Sequence, residues 1–199
     1  MKKTCLVILI SLLSICGISG QKVAIKNNLA YDALRTPNLS LEVALSRKVT
    51  FDVQAGANFF FYTTDPTSSS YKNKKWSHWL VQPEIRYWTC ESFNGFFLGA
   101  HALGGMMNVS GVNIPFIKKH GVRMQDHRYE GHYWGGGLSV GYHWILSNRF
   151  SMEASVGWGA ARITYDKYYC TTCSEKIGEG HANYFGPTKA ALSLIVMLK

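Results

Sequence analysis

Two stretches of the chain alternate so regularly that their side chains must fall on opposite faces of an extended strand. From Phe51 one face reads Phe51, Val53, Ala55, Ala57, Phe59 and Phe61, against Asp52, Gln54, Gly56 and Asn58 on the other. From Phe150 the same rule sets Phe150, Met152, Ala154, Val156 and Trp158 against Ser151, Glu153, Ser155, Gly157 and Gly159. A period of two excludes an amphipathic helix, which repeats every 3.6 residues. An apolar face this long has to be covered, either by a protein core or by lipid.

The same period places six further strands near Val23 to Tyr31, Leu39 to Ser46, Ser77 to Trp88, Gly95 to Val109, Gly131 to Trp144 and Tyr184 to Leu198. Several reach the roughly 9 to 11 residues that a tilted membrane strand needs. Their connections alternate in length. Arg47 and Lys48, Thr89 to Asn94, and Ser147 to Arg149 are short, whereas Thr63 to Trp76, Ser110 to Glu130, and Asp166 to Asn183 are long and polar. Only Asp32 to Asn38 is short on the side where a long loop is expected. Short turns at one end and long loops at the other are the arrangement of an outer-membrane barrel. Between Gly95 and Val109 apolar side chains and glycines occupy both faces, so the alternation there leaves the orientation open.

Which face is wet follows from charge. A water-soluble barrel places apolar side chains inside and polar ones outside. Here Glu42, Asp52, Gln54, Glu84, Arg86, Glu153 and Lys189 sit within strong strand patterns. Facing lipid, each carboxylate would be costly; facing inward they can pair. The fold class this predicts is all-β: an eight-stranded antiparallel up-and-down transmembrane β-barrel of the OmpA/OmpX type, with these seven residues as a polar network in the lumen. An eight-stranded lumen is filled by side chains, which argues against a wide pore. Tyr31, Phe61, Tyr62, Trp76, Trp79, Tyr87, Trp88, Tyr133, Trp134, Tyr142 and Trp144 gather near strand ends, as interfacial girdles do. The soluble alternative, a periplasmic β-domain that binds a partner, would use them as core and cross-strand pairs.

Lys2 and Lys3 precede an apolar run from Cys5 to Cys16, then small residues from Gly17 to Gly20. That order describes a secretory signal peptide over residues 1–20, followed by a single barrel domain over 21–199. Ile15 stands where a lipid-attachment box before Cys16 requires a small residue. Export leaves Cys90, Cys170 and Cys173, of which Cys170 and Cys173 are spaced for a small disulfide loop.

Chemistry is harder to find. Asp126, His127, Glu130 and His132 crowd one stretch, but not at a metal-protease spacing, and a strand there separates alternate side chains. Cys170 and Cys173 with His181 nearby lack a full zinc ligand set and the helix of a redox unit. The pairs Ser77 with His78 and Ser139 with His143 carry no hydrolase motif, although a lipid-modifying enzyme at the barrel rim is the alternative function. No catalytic residue, metal or cofactor is assigned. Gly104, Gly105, Gly135, Gly136 and Gly137 precede no helix, so curvature or close packing explains them better than a phosphate cradle. The net charge of +9 lodges partly in Lys72, Lys74 and Lys75, and in Lys118, Lys119, His120 and Arg123, within two long loops. Such clusters attract lipopolysaccharide phosphates or an acidic partner. No nucleic-acid motif accompanies them.

Four stretches carry a resemblance across nearly the whole exported chain: KNNLAYDALRTPNLSLEVAL, WSHWLVQPEIRYW, HRYEGHYWGGGLSVGYHWIL and HANYFGPTKAALSLI. They resemble a Bacteroidetes family of small exported proteins catalogued as a domain of unknown function, often encoded near fimbrial genes. The resemblance implies a bacterial envelope protein of barrel type, located in the outer membrane. Its partners would be outer-membrane lipids, lipopolysaccharide among them, and envelope or fimbrial proteins. Its role would be structural or in surface interaction.

Overall fold

The computed structural model describes residues 22–59, 75–110, 127–169 and 176–198. The expected signal peptide, Cys170 and Cys173, Phe61 and Tyr62, and most of the loop lysines lie outside these residues. Eight strands follow in chain order: β1 (Val23–Asn28), β2 (Asn38–Ala44), β3 (Val49–Asn58), β4 (Lys75–Trp88), β5 (Gly95–Ser110), β6 (His127–Ile145), β7 (Phe150–Tyr169) and β8 (Lys176–Met197). Each pairs antiparallel with its neighbour, and β8 returns to β1 through pairs from Ala24 with Met197 to Asn28 with Ser193, which closes the ring. This is an all-β, up-and-down barrel with no free edge where β1 meets β8.

Connections 45–48, 89–94 and 146–149 are short and share one end with the start of β1 and the finish of β8. At the other end 29–37, 59–74 and 111–126 are longer, but 170–175, where a long loop from Asp166 to Asn183 is expected, is no longer than 89–94. Strand length is far from uniform, rising from 6 residues in β1 to 22 in β8. At about 3.3 Å per residue, β8 runs roughly 70 Å, so β6, β7 and β8 stand as a tall wall beside the short β1 and β2. Three boundaries differ from the sequence expectation for this reason. β6 begins at His127 rather than Gly131, β7 runs to Tyr169, and β8 begins at Lys176 rather than Tyr184, because cross-strand pairs such as Glu130 with Asp166 and Asp166 with Glu179 extend the ladder through residues polar enough to read as loop.

The first strand is shorter than expected. Asn28 ends it, its side chain accepting a hydrogen bond from Ala30 N at 3.1 Å and starting a one-turn helix, α1 (Leu29–Ala33). The same side chain accepts from Leu192 N and donates to Ala190 O, both at 3.2 Å, standing in for the strand backbone that β1 no longer supplies. At the opposite end, Phe93 adopts a left-handed φ of 64° within the tight 89–94 turn. Only a buried contact offsets that strain in a bulky residue. The ring is buried against Trp88, 5.9 Å between centroids.

Candidate functional site

Inward-facing residues come from every strand: Lys26 on β1, Ser40 and Glu42 on β2, Thr50, Asp52 and Gln54 on β3, Gln82, Glu84 and Arg86 on β4, His101 on β5, Ser139 and His143 on β6, Glu153 on β7, and Lys189 on β8. All are buried. The seven expected from sequence are each no more than 4% exposed. On β5, where alternation left the orientation open, Phe97, Gly99 and His101 point inward and Phe96, Leu98 and Ala100 outward. Their cross-strand partners on β4 and β6 decide this.

Arg86 is the hub. Its Nη1 donates to Glu42 Oε2 and Glu153 Oε2, both at 2.9 Å; Nη2 donates to Asp52 Oδ2 at 3.1 Å and Nε to Glu84 Oε2 at 2.6 Å. Lys26 crosses from β1 to Glu42 at 2.6 Å, Asp52 at 3.3 Å and Glu153 at 3.7 Å, while Lys189 reaches Glu84 at 2.5 Å. Three cations therefore meet four carboxylates. Hydroxyls compensate: Ser40 donates to Asp52, Thr50 to Glu42 and Ser139 to Glu84. Buried charges are tolerable only when paired and hydrogen-bonded in this way. The network ties β1, β2, β3, β4, β6, β7 and β8 across the lumen. Gln54 does not join it; its amide lies one layer away, 3.5 Å from Asn38 Oδ1.

On the short-turn side of the charges, Trp88, Phe93, Phe97, Ala24, Ala44 and Ile195 form an apolar plug. Trp88 donates its indole N–H to Thr50 Oγ1 at 2.9 Å, and Phe97 lies 4.5 Å under the Arg86 guanidinium, so plug and network are one packed unit. Here one sequence expectation is corrected: Trp88 is fully buried in the lumen and takes no part in a surface girdle. Its parity on β4, shared with Arg86 and Glu84, requires that. Glycines make the room. A Cβ on Gly99 would come within 2.5 Å of the Glu84 carboxylate, and one on Gly141 within 2.4 Å of the Phe97 ring. The cavity among Lys26, Ser40, Asp52, Gln54, Glu153 and Ser193 has space for little more than one water molecule.

The outer wall is the opposite in character. Leu39, Leu41, Phe51, Val81, Ile85, Leu98, Leu138, Val140, Val156, Leu192, Leu194 and Val196 are exposed, Leu138 to 70%. On β4 the outward run Val81, Pro83, Ile85 is bracketed by Trp79 and Tyr87, eight residues apart; on β6 Trp134 and Trp144 bracket the same band. Eight residues of strand tilted at about 40° rise about 20 Å, close to the apolar belt of a bilayer-spanning barrel. Among the described residues, buried polar side chains outnumber buried apolar ones by twenty-two to eight.

Other sequence candidates are not assembled into sites. Ser139 and His143 both face inward but lie four residues apart on one strand, about 13 Å, and Ser139 is engaged with Glu84. Ser77 and His78 alternate faces; the His78 ring meets Thr36 Oγ1 at 3.3 Å. Glu130 pairs with Arg128, His132 is exposed, and Asp126 lies outside the described residues. No group of three metal-ligating side chains converges among the described residues. Cys90 is exposed and free. Lys26, His101 and Ser139 are lumen residues that the sequence does not single out: β1 is too short and mixed for one face to read as polar, and a lone His or Ser in a strand carries no signal of its own. No helix among the described residues is long and apolar enough to cross a membrane.

No curated protein and no solved structure matches the chain. A family does match, over residues 5–198, which is nearly the whole length. The chain, with its ring of eight strands around an ionic lumen, thus belongs to the family described as a protein of unknown function, DUF3575.

Proposed function

We propose that this protein is a small outer-membrane β-barrel, exported through a cleaved signal peptide, acting as a structural and surface-interaction component of the cell envelope. The observation that carries this reading is the inverted polarity: ions and hydroxyls fill the lumen, and large apolar side chains face outward between two aromatic levels. In water such a wall would be an aggregation surface far larger than a monomeric soluble protein tolerates; in lipid it is the required exterior. A lumen this full transports nothing wide. The working parts are then the tall β6 to β8 wall and the connections at its end, which suit contacts with lipopolysaccharide and with envelope proteins. The resemblance seen in the sequence adds a Bacteroidetes setting, with fimbrial proteins as a partner class.

The test is fractionation of the expressed chain, with boiled and unboiled samples compared on a detergent gel. Outer-membrane recovery with a boiling-dependent mobility shift is the expected outcome. Carbonate-extractable protein with no shift would refute it and leave a soluble binding domain.

A further inference from the structure

From the aromatic level upward, the outer face of β6, β7 and β8 changes character in a fixed order. Arg162 on β7 lies directly across from Trp134 on β6 and Asn183 on β8. The next outward row up is His132, Thr164 and His181. Residues directly across a ladder sit about 5 Å apart and diagonal ones about 7 to 8 Å, so an Arg side chain reaches both histidines. Arg162, Asn183, His132 and His181 are all exposed. Trp134 shares the row of Arg162, and one outward row below it stands Phe185, 78% exposed.

Arg162 has no ion pair or hydrogen bond among the described residues. The carboxylates one row further up are engaged with other cations. Asp166 and Glu179 hold Lys176 at 2.8 and 3.0 Å, and Glu130 holds Arg128. What remains around Arg162 is a set of groups with one fixed positive charge and no carboxylate: a guanidinium fork, an amide, a hydroxyl and two imidazoles, each able to donate a hydrogen bond. A guanidinium fork matches a phosphate's geometry with two parallel hydrogen bonds. The apolar ledge of Trp134 and Phe185 fits the part of a ligand that continues into the hydrocarbon.

We propose that Arg162, with Asn183, Thr164, His132 and His181, forms a site on the outer wall for the phosphate of a membrane-lipid headgroup. The site rests on the membrane reading above, since it sets Arg162 level with Trp134 and the histidine row two residues, or roughly 7 Å of strand, beyond it. It differs from the basic loop clusters in being built on paired strands, where neighbours are held in register.

The full exported chain, extracted in an uncharged maltoside detergent, is titrated by native mass spectrometry with dioctanoyl phosphatidic acid, with dioctanoylglycerol and with sodium phosphate. The phosphatidic acid is expected to form a one-to-one adduct that dioctanoylglycerol does not form and that equimolar phosphate does not displace. Arg162→Ala is expected to weaken it about tenfold, as for loss of one charge-assisted contact partly open to water, with Arg162→Lys in between. Arg149→Ala, which removes an equal charge at the short-turn end, leaves it unchanged. Equal binding of dioctanoylglycerol, displacement by free phosphate, or an adduct indifferent to Arg162→Ala would overturn the site. The wild-type comparison of the two lipids stands even if a variant fails to fold. Outer-membrane recovery of wild type together with any of those results sinks the site alone; recovery as soluble protein sinks the membrane reading as well.

Discussion

Replacing Arg86 with Met tests whether the lumen network braces the barrel. The side chain touches four carboxylates at 2.6 to 3.1 Å and is buried. A pair at 2.9 Å interacts by about 6 kcal/mol at an effective dielectric near 20, before the desolvation that opposes it. Met fills most of the stem's volume, so the cost is electrostatic: three cations against four carboxylates becomes two against four. Leaving buried carboxylates unpaired in this way costs about 3 to 5 kcal/mol. Adding Glu153→Gln to Arg86→Met gives two cations against three carboxylates, the wild-type excess of one negative charge. The double variant should therefore regain part of the loss, with a coupling energy of at least about 1.5 kcal/mol between the two sites. Urea unfolding in phospholipid vesicles, read by tryptophan fluorescence and by the folded band on unboiled gels, supplies all four corners of the cycle. An Arg86→Met midpoint equal to wild type, or strictly additive effects, would refute the brace.

The outer wall gives a sharper contrast between lipid and water. Leu138→Arg, at a site 70% exposed and midway along the β6 band, should cost about 2 to 4 kcal/mol in vesicles if that face meets lipid, and almost nothing if it meets water. The same unfolding titration decides, and a neutral result counts against membrane insertion. Trp88→Phe keeps most of the plug but loses the indole bond to Thr50, for about 1 kcal/mol, whereas Trp88→Ala should lose about 3 to 5 kcal/mol. Equal midpoints for the two variants would show that the plug does not pack as described. Gly141→Ala drives a methyl into the Phe97 ring and should cost about 1 to 3 kcal/mol, while Gly178→Ala, with open space at its Cβ position, should cost far less. Similar losses at both glycines would mean that Phe97 has another place to go.

Much of the architecture is legible in the chain because strand periodicity is local. Phe51 to Ala57 and Phe150 to Trp158 each display their two faces within a few residues, and charge on one face is enough to say which is inside. Glu42, Asp52, Glu84, Arg86, Glu153 and Lys189 follow from that parity alone. Lys26 does not, because its six-residue strand is too short for one face to read as polar and its place in the lumen comes from closure against β8. Trp88 was misassigned on composition, since an aromatic near a strand end reads equally as girdle or as plug; parity with Arg86 decides it. The upper ends of β6, β7 and β8 read as loop in the sequence because their residues are polar, yet a ladder with a paired neighbour needs no apolar face once it stands beyond the apolar band.

What sequence determined by itself is therefore the set of strands, the inward and outward faces of those that alternate clearly, and the short connections at one end. Each depends on neighbours along the chain. The tertiary structure alone decided which charges meet. Arg86 joins Glu153 from 67 positions away, and Lys189 joins Glu84 from 105, only because the ring closes with a particular stagger. It also decided the outward face of upper β8, where a bulge opposite Gly157 and Trp158 shifts the alternation and turns Phe185 out beside Arg162's row. Both are consequences of register between strands, a quantity that pairing across the barrel sets and that no local pattern contains.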